Sequence, residues 1–493
     1  MNQLKIPAAW MRGGTSKGLF FRADVLPADP ALANRILLRA VGSPDPYGKQ
    51  SDGVGGGTSA TSKIAIVGKS TQEGCDVDYL FGHVAIDDAL IDYAGNCGNL
   101  TAAVGPFAIE ERLVPAVEGM TTVRIWQANV GKVIVAHVPV KHGLPVVESD
   151  FRFDGLAFPG AEIRLDFLDP AGGSTGKLFP TGNKIDTLDI PDLGKLKTTL
   201  IDAGNPTVFV KAKDLGLSGF ETPDQVNANA ELLARLETIR AHAAVAMGLA
   251  ETPDEATRLR PAIPKISFVA KPADYVAAGG RPVAKADCDI TARIVSMGKL
   301  HHAYTGTGAI ALAVAACIPA TIVSQTVGKA LEAGRELRFG QPAGVTTMAA
   351  EVEGKGSDWN VPKVSMGRSA RRLMEGCVLV PMPAELAVKL PEPVSTEPVI
   401  WAESKPEKRK AKPKQKPKEA APPRAKQADK AARKPKPEPL ESAAETQPAA
   451  AEPLAVEGDA LAVPDAQAVD KDKPSKPRRR RRRKPKAAAE AAE

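Results

Sequence analysis

The sequence is poor in aromatic residues and cysteine, and it has no long apolar run. Aromatic residues make up 4% of its 493 positions, and the five cysteines form no C-x-x-C pair. No apolar stretch approaches the roughly 20 residues that a membrane-spanning helix needs. The first residues lack the apolar core of a signal peptide. These absences argue against a disulfide scaffold, a structural zinc site and a membrane span, and they predict a cytoplasmic protein that needs no metal.

The composition otherwise fits a folded chain with a charged extension. Hydrophobic residues make up 43% of the sequence, which is enough apolar material for two or three packed domains. The net charge is +7, but it is unevenly distributed. Residues 391–493 carry 25 Lys and Arg against 17 Asp and Glu, and residues 1–390 are close to neutral. The positive charge therefore belongs to the last hundred or so residues.

The segment 391–493 has the composition of a disordered tail. It mixes Pro, Lys, Glu and Ala with few large apolar residues, so it cannot bury enough surface to offset its ordering entropy. It includes six consecutive arginines, Arg478 to Arg483, which favour a contact with RNA or another polyanion. The alternative is a solvated arm that attracts any polyanion weakly. A nucleic-acid-binding protein with a scaffold core remains a rival hypothesis, against which the near-neutral core argues.

Residues 1–390 contain an internal repeat with a period near 200 residues. Four signals occur twice in the same order: a strand and turn, a lysine that opens an alternating strand, a glycine-containing turn before an apolar helix, and a further strand and turn. The repeat predicts two halves, over 1–190 and 191–390. The paired segments are 11–24 and 201–214, 62–67 and 264–269, 96–104 and 304–312, and 123–131 and 337–344.

The order of elements predicts an α+β fold. Short strands alternate with an occasional long helix, so each half should be a mostly antiparallel sheet wrapped around a helix. Two such halves would face each other across a cleft, and a cleft between similar halves is a common place for a ligand.

The most informative short stretch is Asn96-Cys97-Gly98-Asn99. An apolar segment follows it, which places Cys97 at or just before a helix N-terminus. Free backbone N–H groups there lower the pKa of a thiol and bind carboxylates. The alternative is an ordinary helix cap with a buried structural cysteine. The second half offers hydroxyl groups at the equivalent turn, at Thr305-Gly306-Thr307. If both turns meet, they favour a substrate with several carboxylates.

Lys63 is a candidate general base. The glycine-rich stretch before it matches no nucleotide-binding loop, because the lysine is followed by Ile64 and a strand. A cleft that desolvates the amine would lower its pKa, whereas a lysine at a strand edge is more often surface. The pair His301-His302 is interpreted as polar loop surface, although it is also a candidate for orienting a ligand. The remaining cysteines are interpreted as packing residues: Cys75, Cys288, Cys317 and Cys377.

The two glycine-containing turns resemble those of diaminopimelate epimerase and proline racemase. Those enzymes move a carbon-bound proton between two cysteines, one from each half. The resemblance implies a duplicated diaminopimelate epimerase-like fold. In this chain Thr305 occupies the position of the second cysteine, which argues against a racemase with two thiols.

A more specific resemblance is to the PrpF family, the 2-methylaconitate cis–trans isomerases, and to the related 4-oxalomesaconate tautomerases. It spans about residues 5–382 and rests on the stretches 11–18, 42–50, 61–63, 95–100, 123–129 and 369–376. It implies a cofactor-free isomerase of an unsaturated tricarboxylate, with 2-methylaconitate favoured over 4-oxalomesaconate. A homo-oligomer is compatible with it.

The family resemblance also implies site residues. The lysine and cysteine that share the chemistry in the family correspond to Lys63 and Cys97. The further candidates for substrate binding are Thr15, Ser16, Asn99, Lys265, Lys299, Thr305, Gly306 and Thr307.

Overall fold

The computed structural model describes residues 3–356 and 358–381, which fall within one compact unit, Met1–Arg409. The predicted tail over 391–493, with its arginine block, lies outside the described residues. Within the described residues there are 21 strands and eight α-helices. No helix in this part of the chain is long and apolar enough to cross a membrane.

The strands are β1 (Gln3–Gly13), β2 (Ser16–Arg22), β3 (Lys63–Lys69), β4 (Val77–Val84), β5 (Ile91–Asp92), β6 (Gly119–Gln127), β7 (Lys132–Lys141), β8 (Leu144–Pro145), β9 (Ile163–Leu168), β10 (Asp186–Ile190), β11 (Gly194–Ala203), β12 (Asn205–Lys211), β13 (Lys265–Ala270), β14 (Tyr275–Val276), β15 (Pro282–Val283), β16 (Ile290–Ser296), β17 (Lys299–Leu300), β18 (Glu336–Gln341), β19 (Gly344–Lys355), β20 (Asp358–Arg368) and β21 (Ala370–Pro381). The helices are α1 (Pro30–Val41), α2 (Gly98–Thr101), α3 (Val104–Glu110), α4 (Pro223–Asn227), α5 (Ala230–Ala246), α6 (Pro253–Leu259), α7 (Gly306–Cys317) and α8 (Ile322–Val327).

The strand pairing repeats along the chain. In the first repeat β1 pairs antiparallel with β2, β2 parallel with β3, β3 antiparallel with β4, β4 parallel with β6, and β6 antiparallel with β7. In the second repeat β11, β12, β13, β16, β18 and β19 pair in the same order and with the same directions. The prediction of a duplicated α+β fold with mostly antiparallel sheets is therefore confirmed.

The last two strands connect the second repeat to the first. β20 pairs antiparallel with β9, and β21 pairs antiparallel with β1 along its length. The boundary between the halves at residues 190 and 191 stays a prediction, because strands from both ends of the chain share one sheet.

The helix α7 forms the centre of the larger hydrophobic core. All twelve of its residues are buried, and most of them are alanine or aliphatic. A helix that is apolar on every side is stable only when it is surrounded, and here strands of both repeats pack with it in one cluster. Its small side chains let the sheets approach closely, which brings its N-terminus to the junction of the repeats.

The first repeat has two short helices where one continuous helix was expected. After Cys97 the chain forms α2, turns at Ala102 and Ala103, and continues as α3. The reason is Pro106, whose missing N–H cannot donate to the carbonyl of Ala102. In the first turn of α3 that N–H has no partner to lose, so the proline is tolerated there.

The cysteines interpreted as packing residues have different environments. Cys288 and Cys317 are buried, in agreement with that interpretation, and Cys75 is half-buried. Cys377 is exposed on β21, so its assignment as a packing residue is wrong. Among the strands of the described residues β21 pairs with β1 alone, and most of its residues are exposed.

Candidate active site

Three side chains of the first repeat meet at one point. Lys63 is the first residue of β3, Ser16 is the first residue of β2, and Cys97 caps the N-terminus of α2. The Lys63 Nζ donates to Ser16 Oγ at 2.8 Å and to Cys97 Sγ at 3.5 Å. The Cys97 Sγ also accepts from the backbone N–H of Leu100 at 3.4 Å. An amine and a thiol are therefore held side by side at the start of a helix.

Lys63 is buried, with 4% of its surface exposed. The alternative to the general base, a surface lysine at a strand edge, is therefore wrong. A buried ammonium group is costly unless an anion is close, and no carboxylate of the described residues forms an ion pair with it. Among the described residues, the hydrogen-bond partners of the amine are a hydroxyl and a thiol, both uncharged in their ordinary protonated forms.

The second repeat supplies a second buried lysine at the equivalent place. Lys265 opens β13, as Lys63 opens β3, and it is 5% exposed. Its Nζ donates to the carbonyl of Ala262 at 2.8 Å and to Ser296 Oγ at 3.4 Å. Burial, and then the positive charge of Lys63, lower the pKa of Lys265 to about 8.

The N-termini of α2 and α7 touch each other through glycine. A Cβ on Gly98 would lie 2.9 Å from the carbonyl carbon of Gly306, and a Cβ on Gly306 would lie 2.7 Å from the nitrogen of Asn99. Only glycine permits this approach. Thr305 caps α7 through its Oγ1, which accepts from the N–H of Gly308. The predicted meeting of the two turns is confirmed.

A small, partly open cavity lies between these groups. Both repeats contribute to its walls, and none of its lining residues is acidic. Its lining combines two buried lysines with no acidic side chain, so the cavity fits an anion. Its lining residues are Lys63, Phe81, His83, Asn96, Cys97, Gly98, Asn99, Lys265, Ser296, His301, Thr305, Gly306 and Thr307.

The side chain of Asn99 is fixed from three directions. Its Nδ2 donates to Thr15 Oγ1 at 3.0 Å and to the carbonyl of Tyr304 at 3.2 Å. Its Oδ1 accepts from Arg368 Nε at 3.0 Å. Arg368 is fully buried, with its guanidinium over the ring of Phe153, and burial lowers its pKa to about 9. Thr15 thus supports the cavity through Asn99.

The structure brings most of the sequence candidates together. Cys97, Lys63, Asn99, Lys265 and the turn 305–307 line the cavity, and Ser16 and Thr15 contact its lining residues. Lys299 does not join them. It is exposed in the hairpin formed by β16 and β17 and does not line the cavity, because the turn points it outward. Its selection as a site residue is therefore unsupported by the geometry.

Sequence reasoning missed two polar lining residues, His83 and Ser296, and it gave ligand orientation by His301 only as the alternative to polar surface. The interpretation of His301 as polar surface is wrong, since it is buried, whereas its neighbour His302 is exposed. Burial is the main cause that holds the pKa of His83 and of His301 well below the usual value, and the nearby lysines add to it. The pairing of β3 with β4 places His83 opposite Lys63, which a sequence pattern does not show.

No group of three or more His, Cys, Asp and Glu in the described part of the chain has the arrangement of a metal site. The cavity donors are amines, amides, hydroxyls, a thiol and imidazoles, all suited to hydrogen bonding with an organic anion.

Comparison with known proteins gives a consistent set of relatives. A family model described as "PrpF protein" matches residues 3–381. A 2-methyl-aconitate isomerase of Shewanella oneidensis is 48% identical over 392 residues, which cover 77% of this chain and 98% of that protein. A second, from Cupriavidus necator, is 49% identical over 390 residues, with the same shares. A 4-oxalomesaconate tautomerase of Pseudomonas putida is 35% identical over 380 residues, covering 77% of this chain and 97% of that protein.

A solved structure matches the same region. The crystal structure of a methylitaconate-delta-isomerase superposes with a TM-score of 0.62 and 44% sequence identity, and the match covers 77% of this chain and 97% of that one.

Proposed function

The chain belongs to the PrpF family, and on that premise we propose that it is an isomerase that interconverts the cis and trans forms of 2-methylaconitate. The observation that carries the proposal is the pair of buried lysines, Lys63 and Lys265, in a cavity without an acidic lining residue. A small tricarboxylate supplies the negative charge that this cavity lacks. The relatives named 2-methyl-aconitate isomerase, at 48% and 49% identity, support the choice of substrate.

The reaction begins with removal of a carbon-bound proton. In the neutral form the Lys63 amine takes the proton from the CH₂ group next to the substrate double bond. The electron pair spreads over the adjacent double bond and carboxylate as a dienolate. The former double bond then has single-bond character, and rotation about it followed by return of a proton to carbon gives the other isomer. Atoms and charge balance without a further reactant.

The other cavity groups stabilise the intermediate and return the proton. Cys97, whose Sγ is 3.5 Å from the Lys63 Nζ, is the acid that delivers a proton to carbon. Positive charge at Lys265 and the N–H groups at the start of α7 hold the carboxylates and the dienolate oxygens. Asn99, whose side chain is held by three hydrogen bonds, fixes the first turn of α2 in place at the cavity wall.

Tautomerisation of 4-oxalomesaconate is the rival reaction on the same site. It uses the same proton abstraction and differs in the group beside the diene, a keto acid in place of a methyl. Purified protein offered each substrate separately, with products followed by NMR, should turn over 2-methylaconitate with the higher kcat/KM. A preference for 4-oxalomesaconate would overturn the substrate assignment and leave the proton-transfer chemistry intact.

We expect kcat/KM for the tricarboxylate to fall above about pH 8, by about tenfold per pH unit. The reason is that Lys265, whose pKa is lowered to about 8, loses the charge that attracts a carboxylate. The value of kcat should fall less, because a bound carboxylate favours the charged amine.

Lys265→Gln keeps a donor but does not titrate. In that variant kcat/KM should be low at every pH, and the decrease of kcat/KM above about pH 8 should disappear. A loss at the same pH in Lys265→Gln would show that another group titrates there.

The basic tail is proposed to bind polyanions through charge alone, apart from the isomerase activity. Replacing Arg478 to Arg483 with alanine should remove most binding to heparin or RNA, measured by anisotropy. Binding by the full chain should fall steeply between about 50 mM and 200 mM salt and show no sequence preference. Deleting 391–493 should leave isomerase activity within a few-fold of the full chain. Sequence-selective binding would contradict the proposal.

Cytoplasmic location and a homo-oligomeric state stay predictions from the sequence.

A further inference from the structure

His301 has one ring nitrogen without a partner. The residue follows β17, and only 3% of its surface is exposed. Its Nε2 is buried and has no hydrogen-bond partner among the described residues. The same side chain lines the cavity that holds Lys63 and Cys97. A buried donor or acceptor without a partner costs about 1–3 kcal/mol, so such groups in native proteins usually meet a ligand or an ordered water.

The other ring nitrogen fixes which tautomer is present. The backbone N–H of Ala303 donates to His301 Nδ1 at 3.1 Å, so Nδ1 is an acceptor and carries no hydrogen. The neutral ring must then carry its hydrogen on Nε2. Every charged or titratable neighbour that acts on the ring opposes a second proton: His302, Lys63, Lys265 and His83. The result is a fixed N–H donor without a formal charge.

We infer that His301 is a substrate-binding residue whose Nε2–H donates to a carboxylate oxygen of the substrate. This inference rests on the proposed function, since it assigns a third anchor to the same tricarboxylate. Within the described residues the ring makes no hydrogen bond with Lys63 or Cys97, the pair assigned to proton transfer. We assign the bound oxygen to a carboxylate that takes up no charge in the reaction, so that the contact is the same in the ground state and the transition state.

A contact of this kind affects binding more than turnover. His301→Phe removes the donor and keeps a ring in the stack with His302, whose centroid is 4.6 Å away. We expect KM to rise by about 10- to 100-fold, the effect of losing a hydrogen bond to a charged group, with little change in kcat. His301→Gln, which can place an amide N–H near the position of Nε2, should recover most of the loss.

The matched control is His302→Phe, which changes the neighbouring exposed ring. Its KM should stay within about twofold of the parent protein. Binding of the non-reactive tricarboxylate tricarballylate, measured by calorimetry, should follow the same order as KM in all three variants. Parent-like affinity in His301→Phe would overturn the inference, as would a Gln variant as weak as the Phe variant.

A direct measurement on the unmodified protein covers the case in which His301→Phe does not fold. In ¹⁵N-histidine-labelled protein the His301 ring should stay neutral, with its hydrogen on Nε2, between about pH 6 and pH 8, and that signal should shift when tricarballylate is added. A hydrogen on Nδ1 would overturn the inference, and so would a His301 ring signal that does not shift when tricarballylate is added. Ligand binding without turnover of any substrate would defeat only the proposed function. Failure to bind any carboxylate would defeat both.

Discussion

Lys63→Ala should lower the isomerisation rate by about 10²–10⁴-fold, the range expected for loss of a general base. Among the described residues, Lys63 is the only lysine whose amine contacts the Cys97 thiol. No other basic side chain of these residues hydrogen-bonds with both Cys97 Sγ and Ser16 Oγ. In D₂O the parent protein should exchange the allylic hydrogen of the substrate for deuterium, and the variant should not. Proton NMR of the substrate measures exchange and isomerisation in one sample.

Lys69 provides a matched control. It ends the same strand that Lys63 begins, and its side chain is exposed. Lys69→Ala should therefore change the rate by no more than about twofold. Deuterium exchange that continues undiminished in Lys63→Ala would remove Lys63 from the role of base and leave Lys265 as the next candidate.

Local sequence patterns were sufficient for the features that depend on near neighbours. The apolar segment after Cys97 placed that residue at a helix start, where the structure has it as the N-cap of α2. The alternating strand after Lys63 placed the lysine at the first position of β3. The repeat then predicted Lys265 and Thr305 at the equivalent points, because the same pairing order carries them to the same cavity.

The features that sequence patterns missed depend on residues far apart along the chain. Arg368 reaches Asn99 only because the last strands return to the first repeat. His301 and His302 are adjacent, and nothing in their sequence distinguishes the buried ring from the exposed one. The resemblance implies Lys299 as a candidate for substrate binding, but a tight hairpin turns it to the surface. Burial and long-range pairing, which set these outcomes, are properties of the folded chain.

The two repeats share their backbone pattern and differ in their chemistry. Lys63 and Lys265 are equivalent, but the strand opposite Lys63 carries His83, whereas Lys265 contacts Ser296. Cys97 has Thr305 as its counterpart. The similar backbones place a buried lysine on each side of one cavity, and under the proposed function the different side chains confine proton transfer to the first repeat. Such asymmetry fits an isomerase that works on one carbon of a substrate with several carboxylates.

Cys97 provides the second large expected effect. Cys97→Ser should lower isomerisation by about 10²–10⁴-fold, because a hydroxyl can accept and donate hydrogen bonds at this position but is a far weaker acid than a thiol. Cys97→Ala should be similar. Lys63 is still present in both variants, and its ammonium form can return a solvent-derived deuteron to the dienolate before rotation, so exchange of the allylic hydrogen with D₂O should continue although isomerisation is largely lost.

This separation of exchange from isomerisation is the specific mark of a proton donor. If Cys97 only held the dienolate by a hydrogen bond, Cys97→Ser would keep most of the isomerisation rate and Cys97→Ala would not. If the cysteine were only a structural helix cap, both variants would change the free energy of unfolding more than the rate, which urea titration would reveal. Cys377→Ser, at the exposed cysteine of β21, controls for loss of a thiol and should leave rate and stability unchanged. Since the Cys97 Sγ lies 3.5 Å from the Lys63 Nζ, the two side chains can pass a proton directly, and we expect isomerisation to be lost while deuterium exchange continues.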